Sequence, residues 1–288
     1  MADLKSLLRL ILSGLILFGL IIQTAQASTA KHPDVQLYAL NCGTIDLSDG
    51  SSFSDTGFYS HKPIELADPC FMIKHNQTWM LWDLGLGDNY VNHPATFSAP
   101  EFTVKFTVIK SLTSQLKEIG LTPDEITYVA ISHAHLDHVG NIGLFPHATV
   151  LMQSKEYALT QETPLPQSVE ASLFLTLKPM NKTLLDGDYD VFGDGSVVIL
   201  YTPGHTPGHQ SLEIKLPRTG VVILSGDLYH LRRSYEFKQI PVFNDSRADT
   251  LASMARIDGI LKNTQGQLII QHDPEDFVAL PKFPKYLN

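Results

Sequence analysis

The chain has 288 residues, of which 43% are hydrophobic and 18% are charged, and its formal net charge is −9 at pH 7. This composition is that of a globular protein with enough apolar side chains for a full core, which excludes an intrinsically disordered chain. The acidic balance argues against nucleic-acid binding, because phosphate groups are held by clustered Lys and Arg. The sequence also contains twelve His residues. His is the commonest metal ligand, so their positions matter.

The first 27 residues have the pattern of a secretory signal peptide. Lys5 and Arg9 precede an apolar run over residues 10–22, and Ala25-Gln26-Ala27 has the small residues of a cleavage site. An uncleaved membrane anchor is the alternative, but this run is short for a membrane span, which needs about 20 residues. We therefore expect residues 28–288 to form a periplasmic or secreted mature chain without a stable membrane anchor.

The first half of the mature chain predicts antiparallel strands followed by a helix and a buried strand. The predicted strands are 35–45, 70–76, 78–85 and 126–132. A helical spacing of Leu112, Leu116 and Ile119 ends at Gly120. The polar stretch 46–69 and the Pro-containing stretch 87–105 are predicted to be irregular.

The second half repeats this pattern of strands and helices. The predicted strands are 148–154, 196–202, 210–216, 220–226 and 267–272, with helices at 168–177 and 248–261. Residues 28–288 contain no linker that would divide them into two domains. Such alternation predicts a single α/β domain in which sheets lie between layers of helices.

Four of the predicted strands are followed by residues that can bind metal. These residues are His133, His205, Asp227 and His272. Strand ends hold side chains rigidly at a shared edge of a sheet, so we expect the four to lie close together.

The segment after the strand 126–132 reads H-A-H-L-D-H and carries His133, His135, Asp137 and His138. The alternation of the first two His residues places both side chains on one side of an extended segment. Buried without partners, three imidazoles and a carboxylate would cost several kcal/mol, and metal coordination offsets this cost. The segment therefore predicts a metal site.

A second His-containing segment, T-P-G-H-T-P-G-H, follows the strand 196–202 and carries His205 and His209. Its Pro and Gly residues favour a tight, stiff loop that can aim one imidazole at the same site.

The complete set of donors resembles that of the metallo-β-lactamase superfamily over nearly all of the mature chain. This resemblance implies an αββα sandwich with a dinuclear metal site in which Asp227 bridges the two ions. The implied ligands are His133, His135 and His205 for one ion, and Asp137, His138 and His272 for the other. Zinc is the first choice for such ligands, although iron, cobalt and manganese also fit. His209 matches a residue that is not a ligand, and we expect it to support the site or to pack beside it.

Shorter segments are similar to those of N-acyl homoserine lactone lactonases. They are His133–Asn141, Thr202–Leu212, and the segments that begin at Pro69, Trp82 and Gln271. The resemblance implies that a hydroxide bridging the two metals attacks the lactone carbonyl, and that the ring oxygen leaves as an alcohol. Such an enzyme would degrade quorum-sensing signals. Hydrolysis of phosphotriesters, or of other esters or thioesters, on the same metal site is the alternative.

The segment after Asp227 departs from the lactonase pattern. Lactonases of this family often carry a Tyr three residues after the bridging Asp, whereas this chain has His230 there and Tyr229 one position earlier. Either side chain could contact the substrate carbonyl, or both could pack under the site. The catalytic candidates are therefore Asp137, Asp227, Tyr229 and His230, although a metal-bound Asp137 would not be free to act as an ordinary base.

Two further points remain open from the sequence. Cys42 and Cys70 can pair in an oxidising compartment or be two buried small side chains on neighbouring strands. An acyl chain needs an apolar wall, which aromatic residues could form unless they belong to the core, the surface or a homodimer interface. These aromatic residues are Tyr90, Phe97, Phe102, Phe106, Phe237 and Phe243.

Overall fold

The computed structural model describes residues 33–99, 102–166 and 168–288. The signal peptide predicted at residues 1–27 lies outside this part of the chain. From residue 33 onward the described residues form one compact unit. Two sheets pack face to face in this unit, and helices cover their outer faces.

The larger sheet has eight strands within the described residues, in the order β4-β5-β1-β2-β3-β6-β7-β8. They are β1 (Val35–Leu47), β2 (Ile64–His75), β3 (Thr78–Trp82), β4 (Ala95–Ser98), β5 (Thr103–Thr107), β6 (Ile126–Ala130), β7 (Thr149–Gln153) and β8 (Lys182–Leu185). The pairs from β4 to β3 are antiparallel, and β3, β6, β7 and β8 are parallel.

The smaller sheet has five strands in the described residues, in the order β13-β12-β11-β10-β9. They are β9 (Tyr189–Asp190), β10 (Val197–Tyr201), β11 (Gln210–Leu216), β12 (Gly220–Leu224) and β13 (Gln267–Ile269). Its neighbours pair antiparallel, except that β12 and β13 are parallel.

The α-helices of the described residues lie between these strands in the sequence or after the last of them. They are α1 (Leu112–Glu118), α2 (Leu136–Val139), α3 (Ser154–Leu159), α4 (Leu173–Leu177), α5 (Arg232–Phe237), α6 (Arg247–Thr264) and α7 (Pro274–Ala279). None of these helices in the described ranges has the length and hydropathy needed to cross a membrane.

The central strands are apolar on both faces, and this explains the layered packing. In β1, Leu37 packs between the two sheets with Ile199 of β10, whereas Leu40 faces the other way and packs with Leu112 and Leu116 of α1. Strands covered on both faces read as continuous apolar runs, as the sequence does at 35–45 and 126–132. The result is the αββα sandwich that the resemblance implied.

Two stretches expected to be irregular contain strand instead. β2 begins at Ile64, because residues 64–69 pair with the second half of β1. Residues 95–98 and 103–107 form the hairpin β4–β5, which adds to the free side of β1. Both predictions of irregular structure are therefore wrong in part. These strands are defined by main-chain pairing rather than by an apolar run, since β2 and β5 pair with β1 and β4 pairs with β5.

The two cysteines form a disulfide between β1 and β2, with 5.6 Å between their Cα atoms. Both side chains are buried on the helix-covered face of the larger sheet. The β1–β2 register shifts between Asn41 and Thr44, beside Cys42, whereas Cys70 stands opposite Leu40. The structure thus selects the pairing that the sequence left open.

We expect reduction of this disulfide to destabilise the fold. The crosslinked residues are 28 positions apart, and a closed loop of this size contributes about 3.5 kcal/mol by restricting the unfolded chain. Urea unfolding of the oxidised protein, the reduced protein and a Cys42→Ala/Cys70→Ala variant measures the effect. Equal stability of the oxidised protein and the double variant would contradict the expectation.

Candidate metal centre

All seven residues of the predicted ligand sets meet at one edge of the sandwich, where they form two groups. The donor atoms of each group lie within 4.8 Å of one another. The first group is His133, His135, His205 and Asp227, and the second is Asp137, His138 and His272. Both sheets contribute, because the loops after β6 and β10 and the segments after β12 and β13 end at the same place.

In the first group, imidazole nitrogens converge on one point. His135 Nδ1 lies 2.9 Å from His133 Nε2 and 3.2 Å from His205 Nε2. Asp227 Oδ2 lies 3.6 Å from His133 Nε2 and 3.4 Å from His205 Nε2. Three nitrogens and one carboxylate oxygen therefore surround a single position.

In the second group, the other oxygen of the same carboxylate faces two imidazoles. Asp227 Oδ1 lies 3.0 Å from His272 Nε2 and 3.3 Å from His138 Nε2. The Asp137 carboxylate lies 3.8 Å from each of these nitrogens. Asp227 thus turns one oxygen to each group, which is the placement that a bridging ligand requires.

Burial keeps the imidazoles of the first group neutral. It holds the pKa of His133 and of His205 well below the ordinary 6.5 and lowers the pKa of His135 to about 4. A neutral imidazole has a free nitrogen lone pair, which is the form that binds metal.

The carboxylates have the opposite effect in the second group. Burial favours neutral imidazoles there too, but the neighbouring carboxylates, with Asp227 foremost, together outweigh it, so the pKa of His138 lies well above 6.5 and that of His272 rises to about 9. Burial would likewise raise the pKa of Asp227, but His272 and His138 hold it well below 3.8. The buried carboxylate stays charged and attracts positive charge to this point.

These features fit divalent metal ions. Asp227 Oδ1 is buried and receives no well-directed hydrogen bond from any described residue, so its lone pairs are available. A cation supplies the positive charge that the carboxylates attract, without a proton. Imidazole nitrogen and carboxylate oxygen are also the ligand types that zinc and related ions take.

A buried network behind the second group orients His138. His138 Nδ1 donates a hydrogen bond to Asp83 Oδ2 at 2.9 Å, and Gln271 Nε2 donates to the same oxygen at 2.9 Å. The other oxygen of Asp83 accepts from the main-chain N–H of Ser132 at 2.6 Å. Gln271 Oε1 in turn accepts from Trp82 Nε1 at 2.7 Å. Such partners fix the ring orientation of a metal ligand.

His209 supports the main chain of Asp227, in keeping with the role expected for it. Its Nδ1 donates to the carbonyl of Thr202 at 2.9 Å, and its Nε2 accepts from the N–H of Asp227 at 2.8 Å. The neighbouring Gly226 has a φ of 53° and approaches this ring so closely that a Cβ would lie 2.6 Å from His209 Nε2. A glycine is therefore required there.

Sequence reasoning missed three polar residues that hold the site. Asp83 and Gln271 belong to the network behind His138, and Glu156 of α3 binds the two loops of the first group. Asp83 directly follows β3, but the strand was predicted to continue to residue 85, so Asp83 was not recognised as a residue at a strand end. The sequence around Glu156 is that of an ordinary helix start.

The structure separates the two residues proposed for contact with the substrate carbonyl. His230 Nε2 lies 3.1 Å from Asp227 Oδ2, and the ring lines the cleft above the donors. Tyr229 is fully buried in the cluster under α6, with its hydroxyl 3.4 Å from the carbonyl oxygen of Met254. The alternative that uses Tyr229 is not supported by this geometry, because its side chain points away from the cleft.

A cleft of about 180 Å³ leads to Asp137, Asp227, His230 and His272. Its apolar walls are Ile45, Leu47, Phe53, Leu66, Val104, Phe106, Leu136 and Phe243. Of the aromatic residues that the sequence suggested, Phe106 and Phe243 line this cleft. Phe97, Phe102 and Phe237 are exposed outside it, and Tyr90 packs edge-on against Phe106.

The chain is similar in sequence and in structure to known hydrolases. The model of the Metallo-beta-lactamase superfamily matches residues 65–258. N-acyl homoserine lactonase AttM of Rhizobium johnstonii is 30% identical over 264 residues, covering 88% of this chain and 99% of that protein. N-acyl homoserine lactonase AiiA of Bacillus thuringiensis subsp. kurstaki is 30% identical over 258 residues, covering 88% and 98%.

A solved structure gives the same likeness in three dimensions. It is an N-acyl homoserine lactone hydrolase with the product N-hexanoyl-L-homoserine bound at the catalytic metal centre. It superposes with a TM-score of 0.75 at 28% identity and covers 87% of this chain and 98% of that chain. The similarity therefore includes the whole sandwich together with the edge that carries the donors.

Proposed function

Since the chain belongs to the metallo-β-lactamase superfamily and, within it, to the N-acyl homoserine lactonase family, we propose that it is an exported lactonase that opens the ring of N-acyl homoserine lactones. The relatives named for this activity, and the solved structure with its product, support the substrate class. Ring opening adds water across the acyl carbon–oxygen bond. The acyl carbon takes the hydroxyl group and the ring oxygen takes the hydrogen, which gives N-acyl homoserine.

The observation that carries this proposal is the position of Asp227, which faces both donor groups and lines a largely apolar cleft. In this proposal the two groups would hold two ions, with zinc as the first choice, and Asp227 would belong to both sets of ligands. When bound, such ions supply Lewis acidity and activate water near neutral pH, so that no nucleophilic Ser or Cys is needed. The chain itself fixes the imidazoles and shields them from bulk water.

His230 is placed to contact the reacting part of the substrate. Its ring lies edge-on to Phe53 and to Phe243, with ring centroids 5.2 and 5.9 Å away, and it is nearly parallel to the ring of His272. This packing holds its Nε2 beside the Asp227 carboxylate. An N–H in this position can donate to a lactone oxygen that enters next to Asp227, and so can take the role of the family's Tyr.

The cleft also suits an acyl chain. It is lined by aliphatic side chains of β1 and β5 and by the rings of Phe53 and Phe243, together with carboxylates and imidazoles of the donor groups. A ligand with a polar ring and an apolar tail matches this combination. A phosphotriester remains the second candidate, because the same donor set can stabilise a phosphoryl transition state.

Export is part of the proposal. It is supported by the basic start, apolar run and A-Q-A site within residues 1–27, and by the Cys42–Cys70 disulfide, since disulfides persist in oxidising compartments. In the periplasm or outside the cell, the enzyme would degrade acyl homoserine lactones as they cross the envelope.

N-terminal sequencing of the protein recovered from the envelope fraction tests export and cleavage, and Ser28 is the expected first residue. An N-terminus at Met1 would contradict cleavage.

We expect the metal-loaded mature protein to release acid from N-acyl homoserine lactones. Removal of a residue that supports a metal ligand typically lowers activity by about 10- to 100-fold. An Asp227→Ala variant should lose more than this, because Asp227 contacts both donor groups directly. Titration at constant pH with short- and long-chain lactones measures this.

A phosphotriester assay of the same preparations provides the comparison. Hydrolysis of the lactones, lost in Asp227→Ala, supports the lactonase. No acid release from any lactone by metal-loaded protein would contradict it, and hydrolysis of the phosphotriester alone would favour the second candidate.

His230 and Tyr229 should differ sharply as mutation sites. His230→Phe keeps a flat ring between Phe53 and Phe243 but removes the donor, so kcat should fall by about 100-fold, as for a lost oxyanion donor. His230→Tyr should retain more activity, since its hydroxyl can donate. Tyr229→Phe is the control and should match the wild type, because the Tyr229 hydroxyl faces Met254. The reverse order of effects would contradict the role of His230.

A further inference from the structure

Glu156 lies in the first turn of α3 and is fully buried, although it belongs neither to the donor groups nor to the cleft lining. Its Oε1 accepts a hydrogen bond from the N–H of Ala134 at 2.7 Å. Its Oε2 accepts from Thr206 Oγ1 at 2.7 Å and from the N–H of Gly208 at 3.0 Å. One carboxylate thus receives three hydrogen bonds from two separate loops.

These two loops carry the three imidazoles of the first group. Ala134 lies between His133 and His135 in the loop after β6, and Thr206 directly follows His205 in the loop after β10. β6 and β10 belong to different sheets. The distance between the loops therefore depends on whatever joins them beyond the strand ends.

The two loops have a second connection, at the strands that flank them. The N–H of Gln210, the first residue of β11, donates to the carbonyl of Ser132 at 3.0 Å, and Gln210 Nε2 donates to the carbonyl of Ile131 at 2.8 Å. These bonds fix the start of the loop after β6 against the end of the loop after β10. Glu156 forms hydrogen bonds to the loops next to the imidazoles themselves. It therefore controls the distance between the two loops at a different point.

Each oxygen of Glu156 accepts a main-chain N–H, which can only donate. A carboxylate can accept at both oxygens, whereas the NH₂ of an amide would face an N–H or O–H donor on one side. The approach is also close, since a Cβ on Gly208 would lie 2.3 Å from the main-chain nitrogen of Glu156 and 2.5 Å from its Cβ. A buried carboxylate is costly unless it is fully hydrogen-bonded, so its presence here calls for a specific role.

We propose that Glu156 is a positioning residue that sets the separation of the two histidine loops and thereby the metal affinity of the His133–His135–His205 group. It touches neither the metal nor the substrate. The role rests on the metal site proposed above, but it is independent of which substrate that site hydrolyses.

The test compares Glu156→Gln with Asp83→Asn, since Asp83 supports His138 in the other group. Each full-length mature protein is loaded with Co²⁺, and the ion is removed stepwise with a chelator while the visible absorption of Co²⁺ is followed. His135→Ala and His272→Ala provide reference spectra for loss of the first and the second group. No lactone is needed.

Glu156→Gln should weaken Co²⁺ binding by about 10- to 100-fold at the first group alone, with a spectrum that changes toward that of His135→Ala. Asp83→Asn should weaken Co²⁺ binding at the second group alone, with a spectrum that changes toward that of His272→Ala. Thr206→Val removes one of the three donors and should give a smaller loss at the first group. It makes the same test if Glu156→Gln does not fold.

Two results would overturn the role. Unchanged Co²⁺ affinity in Glu156→Gln is one, and an equal loss at both groups, as a general loss of fold stability would give, is the other. Wild-type protein that binds no Co²⁺ would overturn the metal site itself. Failure to hydrolyse lactones in the presence of normal Co²⁺ binding would bear on the proposed function and leave the role of Glu156 standing.

Discussion

The carboxylate of Asp227 is charged in a place that water scarcely reaches, and the rest of the site follows from this constraint. A buried charge without compensation costs several kcal/mol, so the surroundings must supply positive charge and fixed dipoles. Imidazoles on both sides of the carboxylate meet part of this need, with three facing Oδ2 and two facing Oδ1. The same arrangement makes the position attractive to cations.

The ligand side chains have fixed positions and orientations because each group is contacted from behind by main chain or by another buried side chain. Asp83 and Gln271 hold His138, the carbonyl of Ala67 accepts from His272 Nδ1 at 2.7 Å, and His209 holds the main chain at Asp227. These supports lie within strands or within two residues of a strand end. The sandwich therefore determines the geometry of the site, and the apolar cleft beside it is lined by β1, β5 and the segments around Phe53 and Phe243.

The sequence predicted those features whose signals are local. Strands buried on both faces appear as apolar runs, and H-A-H-L-D-H has no ordinary structural explanation. The role of Asp83 depends on Ser132, 49 positions away, and that of Glu156 on Thr206, 50 positions away. Such contacts leave no trace in the surrounding residues, so both carboxylates read as ordinary polar positions.

The directions of the side chains near the site could not be predicted from the sequence either. A short 3-10 turn at Gly226–Leu228 rotates the chain after β12, so the alternation of the strand cannot be continued to Tyr229 and His230. Phe53 lies in a polar, Ser-rich stretch, yet it packs against His230 in the cleft wall. The hairpin β4–β5 was missed for a related reason, because Phe97 and Phe102 are exposed and give no pattern of a buried face.

The ligands are divided between the two sheets, and this division gives any bound ion a second effect. His133, His135, Asp137 and His138 follow a strand of the larger sheet, whereas His205, Asp227 and His272 follow strands of the smaller one. An ion held by residues of both sheets is a cross-link between the two halves of the sandwich. Because it binds the folded chain and not the dispersed ligands of the unfolded one, its free concentration becomes a determinant of folding stability. Metal supply in the surroundings would then set the lifetime of the protein as well as its activity.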